Sequence, residues 1–129
     1  AGAFKQDGAT GTINELKVSD KTDSIIWVGS KSHSTEKEAA LIEAHKDQIT
    51  ETISAGSSLK GCLVAEQKAD VYYRFGLTCE WDTAAMHCIA ETAGALIRQM
   101  DNTELLYNRE DTLNDKGFYI VNCPENVWV

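Results

Sequence analysis

In the stretch ETISAGSSLKGCLVAEQKADVYYRFG, residues 51–76, the residue pattern changes from one typical of a strand to one typical of a helix and back again. Residues 51–56 form a short run that ends in glycine, and residues 71–76 form a run rich in aromatic side chains; both are typical of strands. Between them, residues 57–70 place apolar side chains at helical spacing behind two serines that can cap a helix. The stretch therefore predicts a strand–helix–strand unit, and such units place their two strands in parallel.

The flanking segments continue this alternation. Residues 24–29, SIIWVG, form a continuous apolar run, which is typical of a strand covered on both faces. Residues 12–18 alternate apolar and polar side chains and predict a half-buried strand. The other predicted elements are helices at residues 34–49 and 81–94 and strands at residues 95–100, 105–108 and 118–123. The predicted fold class is α/β, with a mostly parallel sheet flanked by helices in one domain spanning residues 1–129.

The last predicted helix carries an apolar stripe that predicts its buried face. The stripe consists of Trp81, Ala85, Cys88, Ile89 and Thr92, and Gly94 is a suitable helix end. Cys62 and Cys88 occupy apolar helical positions, so we expect small buried side chains there. The chain has no C-x-x-C pair, which indicates neither a zinc site nor a disulfide framework. This cysteine pattern favours a reducing cytoplasm, with the protein in solution or peripheral to a membrane.

The composition limits the classes of partner. The chain has 129 residues, of which 43% are hydrophobic and 25% charged, enough for one globular core. No apolar run approaches the roughly 20 residues of a membrane span, so we expect no stable membrane insertion. A formal net charge of −8 argues against a protein that binds the backbone of a nucleic acid. A small anionic ligand remains compatible with this charge, because a lysine or a metal ion can reverse the local field.

Three predicted strands end in polar residues that lead into helices. The three strand ends are GSKSH at residues 29–33, AGSSLK at residues 55–60 and TCEWD at residues 78–82. In α/β sheets, ligands collect at the carboxyl ends of the strands. The sequence therefore predicts a binding site formed by these three loops.

The first two loops each allow a ligand-binding and a structural interpretation. Gly56 permits close approach of a ligand to the backbone, and Lys60 adds positive charge one turn into a helix, which suits a phosphate. Helix caps of this composition are also common without any ligand. Ser30 and His33 offer a hydroxyl and an imidazole to the polar edge or the ring of a ligand, but a polar surface loop explains them equally well.

Asp82 also allows two interpretations. A carboxylate at a helix start can cap free N–H groups and interacts favourably with the helix dipole. A carboxylate at a strand end is also a ligand of the type that Mg²⁺ prefers, although magnesium sites generally need more than one protein oxygen. Asp82 alone therefore does not make a catalytic centre.

Two motifs resemble the inositol monophosphatase superfamily of metal-dependent phosphatases. WDTAA at residues 81–85, followed by AETAGA at residues 90–95, is similar to that family's W-D-x-A-A…E-x-G-G signature. Residues 56–76 are similar to its G-S-x-x-x…L-V-A-x-G-x-A-D-x-Y segment. The resemblance covers essentially the whole chain. Within the superfamily, SKSH, Lys60 and LNDKGFYIV resemble the CysQ-type 3′(2′),5′-bisphosphate nucleotidases.

The resemblance implies a reaction and a set of site residues. The reaction is hydrolysis of a phosphomonoester by a metal-activated water, with Mg²⁺ as the cofactor. Asp82 would be a metal ligand and lie at the substrate, and the substrate-binding residues would be Ser30, His33, Gly56 and Lys60. The implied partner is a small nucleotide bisphosphate, namely 3′-phosphoadenosine 5′-phosphate of sulfur metabolism. Met86 and Gln67 depart from the pattern, since glycine is common in the family at both positions.

The superfamily's other metal-binding motifs, an acidic pair and a D-P-[IL]-D-G-T loop, do not occur in this sequence. We therefore expect the chain to be the C-terminal half of a two-domain phosphatase that needs its N-terminal metal-binding domain and shows little activity alone. Two alternatives remain. One is an inositol- or sugar-phosphate phosphatase of the same superfamily, and the other is a nucleotide-binding module without catalysis. Lys60 and His33 argue against the first alternative.

Overall fold

The computed structural model describes residues 3–6, 8–30, 36–55, 59–75, 78–100, 102, 113–114 and 117–128. The helices are α1 (Glu36–Ala44), α2 (Leu59–Ala65) and α3 (Glu80–Thr92), and a 3₁₀ turn spans Pro124–Asn126. The strands are β1 (Ala3–Gln6), β2 (Ile13–Leu16), β3 (Ile25–Ser30), β4 (Ile49–Ala55), β5 (Val71–Arg74), β6 (Thr78–Cys79), β7 (Leu96–Gln99), β8 (Leu113–Asn114) and β9 (Phe118–Val121). The strand predicted at residues 105–108 lies outside the described residues.

A five-stranded sheet in the order β4–β3–β5–β9–β7 forms the centre of the fold. Strand β3 pairs in parallel with β4 and β5, whereas β9 pairs antiparallel with both β5 and β7. Four of the five strands therefore point the same way, and β9 alone runs against them. The carboxyl ends of β3, β4, β5 and β7 consequently lie at one edge of the sheet, called here the carboxyl edge.

Helices cover both faces of this sheet, which confirms the predicted α/β class. On one face, Val64 of α2 and Met86 and Ala90 of α3 pack against alternate strand residues such as Val28 and Ile120. On the other face, Leu41 and Ile42 of α1 and the C-terminal Trp128 pack against Trp27 and Tyr73. Successive residues of a strand point to opposite faces, so the apolar runs of β3, β5 and β9 fill both cores.

The predicted buried face of α3 is wrong. Its buried side chains are those of Thr83, Met86 and Ala90, whereas Ala85, Cys88 and Thr92 are exposed and Ile89 is half-buried. The side chain of Trp81 lies outside the described part of the chain. Helical spacing alone allows more than one buried face, and the packing of α3 against α2 and the sheet selects the face that carries Met86 and Ala90. The expected burial of Cys88 is wrong for the same reason, and Cys62 is half-buried.

Strand β2 forms at the predicted place but does not belong to the main sheet. It pairs antiparallel with β1 in a two-stranded hairpin. Ile13 is 62% exposed, so the expected half-buried strand is wrong for most of its length. Leu16, at its end, packs against Ala65 of α2 and Ala93, which follows α3. The alternation of apolar and polar residues predicts a strand, but it does not show whether the apolar side of that strand packs against a core.

Gly117 immediately precedes β9 at the carboxyl edge of the sheet. Its φ of 71° is left-handed, and a β-carbon there would lie 2.4 Å from the carbonyl oxygen of Arg74. We expect Gly117→Ala to lower the free energy of unfolding by about 2 kcal/mol, because the new carbon strains both its own backbone and that of β5. Chemical denaturation measures this loss. The matched control is Gly8→Ala, because a β-carbon at Gly8 meets nothing within 4 Å. Equal stability of the two variants would contradict the expected contact.

Candidate active site

Lys60 is the predicted site residue that the structure describes most fully. It is the second residue of α2, and its side chain is buried with 4% exposure. The ammonium Nζ donates a hydrogen bond to the carbonyl oxygen of Ala55, the last residue of β4, at 3.2 Å. It also lies 5.4 Å from the ring centre of Tyr72, a distance at which a cation and an aromatic face attract. The side chain thus folds back over the carboxyl edge of the sheet.

Two charged residues that the sequence reasoning missed influence Lys60. Burial is the largest cause that lowers the pKa of Lys60, and the positive charge of Arg74 lowers it further. The carboxylate of Glu38 opposes this and raises the pKa. Arg74 ends β5, so the strand-end argument applied to VYYRFG would have found it. Glu38, buried in α1, gave no such signal because its pattern is that of an ordinary helical glutamate.

The backbone places Ser30 and Asp82 at the same edge. Ser30 is the last residue of β3 and is the register partner of Ala55, the residue that holds Lys60. Asp82 is the third residue of α3, which begins at Glu80. Asp82 therefore lies in the first turn of the helix, at the helix start as predicted, and both interpretations of its carboxylate stay predictions. The helix begins at Glu80, one residue before the predicted start at residue 81.

His33 and Gly56, the other two predicted substrate-binding residues, lie outside the described residues. The structure thus brings Ser30, Lys60 and Asp82 to one edge at the level of the backbone. It adds Arg74 and Glu38 to the same edge. Ligand binding by any of the five predicted site residues stays a prediction.

The described residues contain no group of three or more histidine, cysteine, aspartate or glutamate side chains that could hold a metal ion. They also include no helix that is long and apolar enough to cross a bilayer. The part of the chain that the structure describes therefore does not by itself provide a complete metal centre.

Comparison with protein families assigns residues 1–124 to the inositol monophosphatase family. The chain belongs to this family. Two relatives named 3′(2′),5′-bisphosphate nucleotidase CysQ are those of Salmonella typhimurium and Escherichia coli K12. The first is 36% identical over 118 residues and the second 37% identical over 120 residues. Both alignments cover 92% of this chain and 46% of the relative, so the chain spans about half the length of the curated relatives it matches.

One solved structure supports this family assignment, and a second shows the same fold. The crystal structure of CysQ from Bacteroides thetaiotaomicron aligns with a TM-score of 0.75 and 41% identity, over 86% of this chain and 42% of that one. The inositol monophosphatase of Anabaena aligns with a TM-score of 0.65 and 21% identity, over 92% of this chain and 48% of that one. The second likeness shows the shared fold alone. The predicted resemblance to this phosphatase family is confirmed.

The structure explains both departures from the inositol monophosphatase pattern. Gln67 has a left-handed φ of 67°, a conformation that favours glycine. Its side-chain amide donates a hydrogen bond to the carbonyl oxygen of Lys17 at 2.7 Å, which offsets part of the conformational cost. Met86 is buried against Gly61 of α2, and this glycine leaves room for the long side chain.

Proposed function

We propose that this chain is the C-terminal half of a Mg²⁺-dependent phosphatase that removes the 3′-phosphate of 3′-phosphoadenosine 5′-phosphate. Membership in the inositol monophosphatase family supports the hydrolysis of a phosphomonoester. Relatives named as 3′(2′),5′-bisphosphate nucleotidases support a substrate with two phosphates. The N-terminal half of the protein would supply the remaining metal ligands.

The buried cation Lys60 is the observation that carries this proposal. Burial of a charged ammonium costs free energy, and a second cation, Arg74, lies close enough to add to that cost. A phosphate dianion at the carboxyl edge would offset both the cost of burying the ammonium and the repulsion from Arg74, and it would favour the protonated form of Lys60. A neutral sugar hydroxyl would offset neither. The site is therefore better suited to an additional phosphate than to an uncharged part of a substrate.

A bound Mg²⁺ would supply an activated water and stabilise the charge of the reacting phosphoryl group. This chain would contribute the carboxylate of Asp82 as one ligand, and an acidic side chain is the type of donor that Mg²⁺ takes. Lys60 and Ser30 would orient the rest of the nucleotide at the same edge. Holding the substrate in this way lowers the entropic part of the barrier.

The unpaired cysteines support a reducing compartment for this enzyme. Cys62, Cys88 and Cys123 are free thiols. Free thiols of this kind are typical of cytoplasmic proteins. We therefore propose that the protein works in the cytoplasm on a soluble nucleotide.

A phosphate-release panel on the full-length protein tests the proposed function. The substrates are 3′-phosphoadenosine 5′-phosphate, inositol 1-phosphate and fructose 1,6-bisphosphate, each assayed with Mg²⁺ and with a chelator. We expect Mg²⁺-dependent release with the highest kcat/KM for the nucleotide. A higher kcat/KM for inositol 1-phosphate would assign the protein to the inositol phosphatases instead. Binding of the nucleotide without any release would indicate a non-catalytic module.

Replacement of Lys60 tests its role at the second phosphate. In the full-length protein we expect Lys60→Ala to raise KM for the bisphosphate about 10- to 100-fold, as loss of one charge-assisted hydrogen bond implies. KM for adenosine 3′-monophosphate should change much less, because that substrate lacks the second phosphate. Lys68→Ala, at a lysine whose side chain is 61% exposed, is the matched control and should leave both values unchanged. Equal increases for both substrates in Lys60→Ala would reject the second-phosphate role.

A further inference from the structure

Helices α2 and α3 meet at one contact between a glycine and a methionine. A β-carbon added at Gly61 would lie 2.7 Å from Sδ, 2.9 Å from Cγ and 3.0 Å from Cβ of Met86. Gly61 is buried, and Met86 is only 3% exposed. No side chain larger than that of glycine fits at residue 61 while Met86 keeps its position. The two residues therefore set how closely the helices approach each other.

This contact lies next to two residues of the candidate site. Lys60 immediately precedes Gly61, and its ammonium is held to the end of β4 through Ala55. Asp82 lies four residues before Met86, one turn nearer the start of α3. A change in helix separation at the contact would therefore move the start of α3 relative to Lys60. Packed interiors transmit such volume changes, because they contain few voids that could absorb them.

We propose that Met86 is a positioning residue, which fixes the distance between Lys60 and Asp82 by filling the space beside Gly61. The inference rests on the proposed function, because it assigns the phosphate to Lys60 and the metal to Asp82. Met86 would act through the two helices and not by contact with the phosphate or the metal. The volume of the Met86 side chain, next to a glycine that has no side chain, keeps the starts of α2 and α3 at a fixed distance. A smaller residue at 86 would let α3 shift toward α2, and a larger residue at 61 would push the helices apart.

Enzyme kinetics on the full-length protein separate positioning from general core stability. We expect Met86→Ala to lower kcat/KM for the bisphosphate about 10- to 100-fold, as a displacement of about 1 Å can do, and to raise the Mg²⁺ concentration that gives half-maximal rate. Ile97→Ala is the matched control, since Ile97 is also 3% exposed and packs in the same core. It should lower the melting temperature by a similar amount but leave KM and the Mg²⁺ dependence unchanged below that temperature. Met86→Leu, which conserves volume, should behave like the wild type.

An exchange of the two residues gives a second measurement. The double variant Gly61→Met with Met86→Gly conserves the total volume, and we expect its kcat/KM to stay within about tenfold of the wild-type value. Failure of this exchange to exceed the activity of Met86→Ala would overturn the inference. Equal kinetic effects of Met86→Ala and Ile97→Ala would also overturn it, while leaving the proposed function intact. A wild-type protein without Mg²⁺-dependent phosphate release would refute the proposed function, and the inference with it.

Discussion

Asp82→Asn in the full-length protein is expected to lower Mg²⁺-dependent phosphate release by more than about 100-fold, since even residues that only support a metal ligand cost 10- to 100-fold when lost. Asparagine keeps the size and one oxygen of the side chain but removes the negative charge that a magnesium ligand needs. The fold should survive, because Asp82 lies in the first turn of α3 and its interaction with the helix dipole contributes at most about 1 kcal/mol. The activity loss should therefore far exceed the stability loss.

Two measurements distinguish the metal-ligand role of Asp82 from a role in helix stability. Phosphate release as a function of Mg²⁺ concentration should shift to higher concentrations in Asp82→Asn, and thermal unfolding should shift by only a few degrees. Glu91→Gln is the matched control, because Glu91 is an exposed carboxylate at the other end of α3. It should leave the Mg²⁺ dependence unchanged. Retention of most activity in Asp82→Asn would reject Asp82 as a metal ligand and leave only its structural role.

The sheet and the helices were predictable because their signals are local. The strands β3, β5 and β9 were predictable from one rule. A strand that is buried on both faces is a continuous apolar run, without alternation of apolar and polar residues. The strand-end rule also placed Lys60 at the carboxyl edge, where the structure has it. The direction of β9 was not predictable from its own residues, since a buried run reads the same in both orientations.

The parts that could not be predicted depend on contacts between distant segments. On the buried face of α3, Met86 packs against Gly61, which lies on another helix and gives no signal within the α3 sequence. Glu38 raises the pKa of Lys60 although 21 residues lie between the two in the sequence. Met86, by contrast, stood out as a departure from the family pattern, but the departure became understandable only when its partner was known. Sequence patterns thus brought the candidate residues to the carboxyl edge, and the tertiary contacts revealed the charges and volumes around them.

The buried carboxylate of Asp70 holds the opposite edge of the sheet together. Asp70 is 0% exposed, and it accepts hydrogen bonds from the hydroxyl of Ser19 and, at 2.9 Å, from the backbone N–H of Ile26. It also forms an ion pair with the ammonium of Lys21 at 3.0 Å. The amide of Asn122 extends the network by donating to Ser19 at 2.9 Å. One side chain therefore connects the segment before β3 with the starts of β3 and β5 and with the end of β9.

We expect Asp70→Ala to lower the free energy of unfolding by about 3 kcal/mol, because it removes charge-assisted hydrogen bonds and leaves the N–H of Ile26 without its acceptor. Lys21 adds little to this loss, because its side chain is 38% exposed and its ammonium can return to water. Urea denaturation measures the change, and the matched control Asp20→Ala, at an exposed aspartate, should cost less than about 0.5 kcal/mol. A loss in Asp70→Ala no larger than in Asp20→Ala would contradict the network. Asp70→Asn should fall between the two variants, because its amide oxygen can still accept from Ile26 but carries no charge for Lys21.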